Sequence, residues 1–144
     1  MSTLPATAAL GVPAGAPVRD RIARILLVVV AIGAIGAAVG AVGIVADAGP
    51  MTRMVETWRL LGFVVFAGIF LLLAYRPRGY AGIWELAILN KLGLTIAALA
   101  YGTETEGAAA ALAADGVVTL LLVTAYILSR GWRAWSTVRS SHNT

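Results

Sequence analysis

Four apolar runs, each long enough to cross a bilayer, leave this chain few ways to fold. Residues 25–46, 57–75, 80–101 and 108–128 carry at most two charged side chains each. A hydrocarbon core of about 30 Å takes about 20 helical residues to cross. Inside lipid a backbone amide has no water to turn to, so each run must satisfy its own N–H and C=O groups as a helix. The expected fold is all-α, a polytopic membrane protein built as a four-transmembrane-helix bundle. Composition agrees: 12% of residues are charged and 60% hydrophobic, where a soluble domain has about a quarter charged. The chain of 144 residues then holds one transmembrane domain (19–135), an N-terminal tail (1–18) and a polar C-terminal tail (136–144).

The N-terminal tail is rich in Ala, Pro and Gly and has no charge before Arg19, so it is expected to be flexible. Ala46-Asp47-Ala48 after the first run has the small-x-small form of a signal-peptidase site. The apolar run before it is longer than the 7–15 residues or so of a signal core, so a retained helix is expected.

Several chemistries lack their residues. There is no cysteine, and the single histidine, His142, lies in the C-terminal tail. Disulfides, thiolate nucleophiles, iron–sulfur clusters, histidine-ligated haem and His-rich zinc sites therefore have no donors. No cofactor, no metal and no catalytic residue set is expected. The net charge of +4 and pI near 10.1 could suggest nucleic acid, but the arginines flank apolar runs and form no patch. Membrane orientation explains them better.

Arg19, Arg21 and Arg24 precede the first run, Arg76 and Arg78 follow the second, and Arg130, Arg133 and Arg139 follow the fourth. With four spans all eight fall on one side. The other side holds Arg53 and Arg59 against Asp47, Glu56, Glu104 and Glu106. The positive-inside rule then puts both termini in the cytoplasm of a cell with the protein in its plasma or inner membrane. Trp132 and Trp135 suit the interface.

Small residues mark where helices approach closely in lipid. Gly33, Gly36, Gly40 and Gly43 recur at helical spacing and include a GxxxG step, which predicts packing against another helix of the same bundle, with a homodimer contact as the alternative. On the second span Arg59, Phe63, Phe66, Phe70 and Leu73 share a face. Core filling or lipid contact is the expected role of this stripe, a lipid or quinone pocket the rarer one. Arg59 is expected to snorkel or to pair with Glu56.

The ionisable residues inside the spans carry the most information, because a charge at mid-bilayer is costly and needs a partner. Counting from the acidic loop between the last two spans, Lys91 lies roughly 18 Å and Asp115 roughly 15 Å below the turn. A Lys91–Asp115 contact is therefore expected, each charge offsetting the other's desolvation. Trp84, Ile88, Lys91, Thr95 and Ala98 fall on one face of the third span, and Asp115, Thr119, Leu122 and Tyr126 on one face of the fourth. Glu85 is expected near the cytoplasmic interface, meeting Arg76, Arg78 or a basic residue of the tail. Asn90 is expected to bond a neighbouring helix.

The third span has eight Leu and Ile residues, worth roughly −2.4 to −4.8 kcal/mol on insertion, against about +2.5 to +3.5 for one central lysine. It depends on its neighbours to stay in the membrane. Lys91 is also the one lysine among eleven basic residues, and a lysine, unlike an arginine, can give up its proton. Lys91, Asp115, Glu85, Asn90, Thr95 and Thr119 are thus the candidate buried polar and proton-linked set.

Trp58-Arg59-Leu60-Leu61-Gly62 opening the second span, Arg76-Pro77-Arg78 closing it, and Asp115-Gly116 in the fourth give a layout that resembles small four-helix bacterial membrane proteins of the DoxX-like sort. The resemblance implies a fold more than an activity. Small multidrug transporters also have four helices, but they place a glutamate in the first span, which has none here. Three function classes follow: a structural or accessory membrane protein, acting as a homodimer or in a larger membrane complex; a small proton-coupled transporter or channel using Lys91, Asp115 and Glu85; and, last, a lipid- or quinone-linked enzyme. Its expected partners are the lipid bilayer and other membrane proteins, not nucleic acid.

Overall fold

The computed structural model describes residues 15–136. It is all-α: α1 (Gly15–Asp47), α2 (Arg53–Tyr75), α3 (Ile83–Tyr101), α4 (Ala108–Ser129) and a short 3-10 turn, Gly131–Arg133. All four long helices are long and apolar enough to cross a membrane. Most of the two expected tails, with His142 and Arg139, falls outside the described residues.

α1 starts earlier than expected. The helix takes in Arg19, Arg21 and Arg24 and runs for 33 residues, or about 50 Å. Pro17 lies in its first turn, where a missing N–H costs nothing, and nothing between it and the apolar run breaks a helix. α2 also begins ahead of the apolar run, at Arg53, with Glu56 in its first turn, where a carboxylate suits the helix dipole. α3 begins at Ile83, later than Tyr80, because Gly82 turns the chain with φ 84°. Gly107 does the same ahead of α4 with φ 80°, a conformation that costs glycine little.

α1 packs closely on α2 and on α4, and α3 on α4, whereas α2 and α3 touch at few places. The bundle is thus a square with one loose side. One end carries the α1 N-terminus, the α2–α3 turn and the C-terminal segment, and is called the basic end; the other carries the α1–α2 and α3–α4 loops and is the acidic end.

The large buried side chains gather in the basic half. Leu27 and Ala31 from the first part of α1, Phe70 and Leu73 from the last part of α2, Trp84 from the start of α3 and Leu122 from the later part of α4 are all at most 1% exposed. Large side chains elsewhere, such as Ile32, Val39, Val65, Leu89 and Leu120, face outward, as lipid-facing residues must.

The glycine stripe of α1 departs from expectation. A Cβ placed on Gly33, Gly36, Gly40 or Gly43 would have no atom of the described residues within 4 Å. α1 packs instead through Ala23, Leu27, Val30, Ala31 and Ala41. At 100° per residue that face lies about 140° around the helix from the glycines, so both cannot meet the same bundle. The larger, better-packing face wins the interior.

Candidate functional site

α3 and α4 run antiparallel, and their facing stripes bring Lys91 and Asp115 together. Lys91 Nζ donates to Asp115 Oδ1 at 2.8 Å. The side chains are 9% and 16% exposed, so the pair is almost fully removed from the surface. Their backbones are not level: Gly116 faces Thr95, whose Cγ2 would lie 3.7 Å from a Cβ on the glycine. Lys91 is one turn further in, about 6 Å, and its long stem makes up the difference. A shorter cation could not.

Phe66 of α2 supplies a second partner. Lys91 Nζ lies 4.4 Å from the centre of its ring, on the electron-rich face that attracts a cation. The ammonium therefore ties α2, α3 and α4 together, with two of its three donor directions in use. Thr95 and Thr119 do not extend the set: the Thr95 hydroxyl donates to the Lys91 carbonyl at 2.8 Å, and that of Thr119 to the Asp115 carbonyl at 2.7 Å. Both protons are committed to the residues' own helices, a common fate of threonine within a span.

A half-open cavity of about 580 Å³ rises from the pair toward the acidic end. Lys91 and Asp115 form its floor, Phe63 and Phe66 one wall, Leu94 and Ala97 another, and Ala111 and Ala114 a third. Arg59 and Glu106 stand at the rim, with Arg59 paired to Glu56 at 2.9 Å as expected. The aromatic stripe of α2 is thus divided. Phe70 and Leu73 fill the core, while Phe63 and Phe66 line the cavity.

Asn90 corrects another expectation. It lines the cavity and is exposed, and its side chain makes no hydrogen bond to any described residue. It reaches no neighbouring helix, because it points into the gap where α2 and α3 separate.

Glu85 lies about 9 Å along α3 from Lys91, toward the basic end, and among the described residues it pairs with no arginine. Its Oε1 accepts from the Tyr126 hydroxyl at 2.8 Å and from Trp135 Nε1 at 3.0 Å, while Oε2 is buried without a partner. Arg78, one of the expected partners, is occupied elsewhere: it donates to the Ser129 carbonyl at 2.8 Å and to Asp20 Oδ1 at 2.6 Å. The C-terminal segment folds back under the bundle and puts Trp135 where an arginine was anticipated.

This basic end is tightly closed. Trp84 Nε1 donates to the Pro77 carbonyl at 2.7 Å, its ring packs 5.5 Å from that of Tyr126, and Tyr126 packs 5.7 Å from Trp132. Gly131 lies so close that a Cβ there would overlap the Tyr126 ring and sit 3.0 Å from Trp84 Nε1. Between this cluster and Lys91–Asp115 come Ile88, partly buried, and Leu122, fully buried. The two polar groups are separated by an apolar layer.

The sequence does not show the closing cluster as a unit, although Tyr126, Trp132 and Trp135 on either side of Gly131 are its trace. Among the described residues no three His, Cys, Asp or Glu side chains gather as they would around a metal ion. Comparison with known proteins finds no matching family model, no matching curated protein and no matching solved structure.

Proposed function

We propose that this chain is a non-enzymatic accessory protein of the cell membrane, with both termini in the cytoplasm, whose Lys91–Asp115 pair sets the register of its helices. The observation that carries this reading is the apolar layer of Ile88 and Leu122 between the ion pair and the Glu85 cluster. A proton or solute path needs polar groups or water at every step, and the polar groups here stop short of one another. An ion pair that bridges two helices and leads nowhere is best explained by specificity of packing. The gathering of arginines at one end supports the orientation.

A proton-coupled carrier is the second reading, favoured by the cavity that reaches the pair from the acidic end. The purified protein in liposomes under an imposed pH gradient separates the two. Wild type should leak protons no faster than protein-free vesicles; a flux abolished by Lys91→Met or Asp115→Asn would overturn the accessory role. Orientation has its own test, made easy by the absence of cysteine: Thr103→Cys should react with an impermeant maleimide on intact cells and Ser140→Cys only after lysis.

A further inference from the structure

The cavity above Lys91 and Asp115 has the chemistry of a binding site whichever of these readings holds. Its volume of about 580 Å³ falls within the roughly 300–1,000 Å³ of small-molecule sites. Its walls are aromatic and aliphatic, and its polar groups lie at the two ends, Arg59, Thr105 and Glu106 at the rim and Asn90, Lys91 and Asp115 together at the floor. Lys91 has one donor direction beyond Asp115 and Phe66. Asn90, at the same level, offers both a side-chain carbonyl and an amide without a partner among the described residues. An unpaired carboxamide at this depth in a membrane is costly, so the site is short of one polar occupant.

The floor also says what kind. Lys91 and Asp115 are adjacent and opposite in charge, so the floor is neutral. A cation or an anion would gain from one and be repelled by the other while losing its own hydration. A head that both donates and accepts, without net charge, suits the pair and Asn90 together. Depth excludes phospholipids: Lys91 is about 15 Å along α3 from Tyr101, and a phosphate anchored at the surface does not descend so far. The entrance lies where α2 and α3 scarcely touch and where Leu94 and Asn90 are exposed, on the flank that faces lipid.

We infer that this cavity binds an uncharged, hydroxyl-bearing single-chain lipid, such as a long-chain alcohol or a monoacylglycerol, entering from the bilayer between α2 and α3. Its head rests on Lys91, Asp115 and Asn90, and its chain lies along Phe63, Phe66 and Leu94.

The test uses the full chain in nanodiscs with hexadecanol carrying a diazirine on its chain, photolysed and mapped by mass spectrometry. Label should concentrate on Phe63, Phe66 and Leu94. Excess monoacylglycerol should reduce it roughly fivefold or more, with hexadecyl sulfate and hexadecyltrimethylammonium much weaker competitors. Asn90→Leu should lower labelling by about three- to tenfold, the loss of one or two hydrogen bonds. Ala111→Phe and Ala97→Phe plug the cavity from different helices and leave the ion pair in place, so either one, once its helicity and elution match wild type, should abolish site labelling. The proposal fails if Ile32 and Val39 on the outside of α1 are labelled as strongly as the cavity, which is contact with bulk lipid only. It fails equally if a folded plug variant labels like wild type, or if a charged amphiphile competes best. Proton flux has no bearing on any of these outcomes.

Discussion

Removing one member of the Lys91–Asp115 pair should cost far more than removing both. The two side chains are 9% and 16% exposed, so a charge left behind has little water to turn to. Breaking a buried pair by deleting one partner typically costs about 3–5 kcal/mol, whereas replacing both with apolar groups is often neutral or better. The structure makes the two single changes unequal. After Asp115→Leu the ammonium keeps the Phe66 ring at 4.4 Å, worth about 1 kcal/mol or more when desolvated, so the loss should be about 3 kcal/mol. After Lys91→Met the carboxylate loses the one side-chain donor that it has among the described residues, and the loss should be about 4 kcal/mol. Lys91→Met/Asp115→Leu should come within about 1 kcal/mol of wild type, a coupling energy of about 6 kcal/mol. Unfolding by sodium dodecyl sulfate in mixed micelles, followed by the helical signal and by tryptophan fluorescence, reads all four proteins. Single variants that each unfold within about 0.5 kcal/mol of wild type would refute the claim that this pair holds α3 to α4.

Three further outcomes follow from the packing. Gly131→Ala should destabilise by about 1–3 kcal/mol through overlap with Tyr126 and Trp84, measured in the same unfolding assay, and the additional change Tyr126→Leu should relieve part of that loss. Trp84→Phe should cost about 1–3 kcal/mol because the Pro77 carbonyl loses its buried donor; an unchanged midpoint would mean that another group or water takes over. Gly36→Leu should leave the folded bundle within about 0.5 kcal/mol of wild type, since a Cβ there has no described atom within 4 Å and points away from the bundle, and a large loss in monomeric micelles would contradict the placement of α1.

The parts of this molecule that follow from local rules are legible in its sequence. Span length and number come from hydropathy, and the pairing of Lys91 with Asp115 comes from counting residues on either side of a short loop, because an antiparallel hairpin fixes depth by length alone. What lies beyond the hairpin is harder. Gly36 and Leu27 both lie on a helix that must pack somewhere, and the periodicity of small residues identifies a face without saying what meets it. Glu85 has arginines near it in sequence, yet its partners Tyr126 and Trp135 depend on how the chain turns after Ser129. That turn includes Arg130 in a left-handed conformation, φ 53°, which nothing in its residue type predicts. Asn90 is misplaced for a related reason: a helix wheel assigns it a direction, and only the looseness of the α2–α3 side makes that direction open.

The contrast between the two halves of the bundle follows from side-chain size. In the basic half Trp84, Phe70, Leu27 and Leu122 meet at the centre and fill it. In the acidic half α3 and α4 present Ala97, Ala98, Ala111 and Ala114, and no large residue of α1 reaches across to them, so α2 stands off and a space remains. Lipid or water will occupy a space of that size in a membrane, because an empty cavity forfeits the contacts of every atom that lines it. The ion pair lies at the boundary, with a packed core below and a fillable space above. Whatever enters from above changes the solvation of Lys91 and Asp115 directly, while the basic half holds their helices fixed. For that reason the occupant of the cavity, more than the pair itself, determines whether these two charges serve only to align helices.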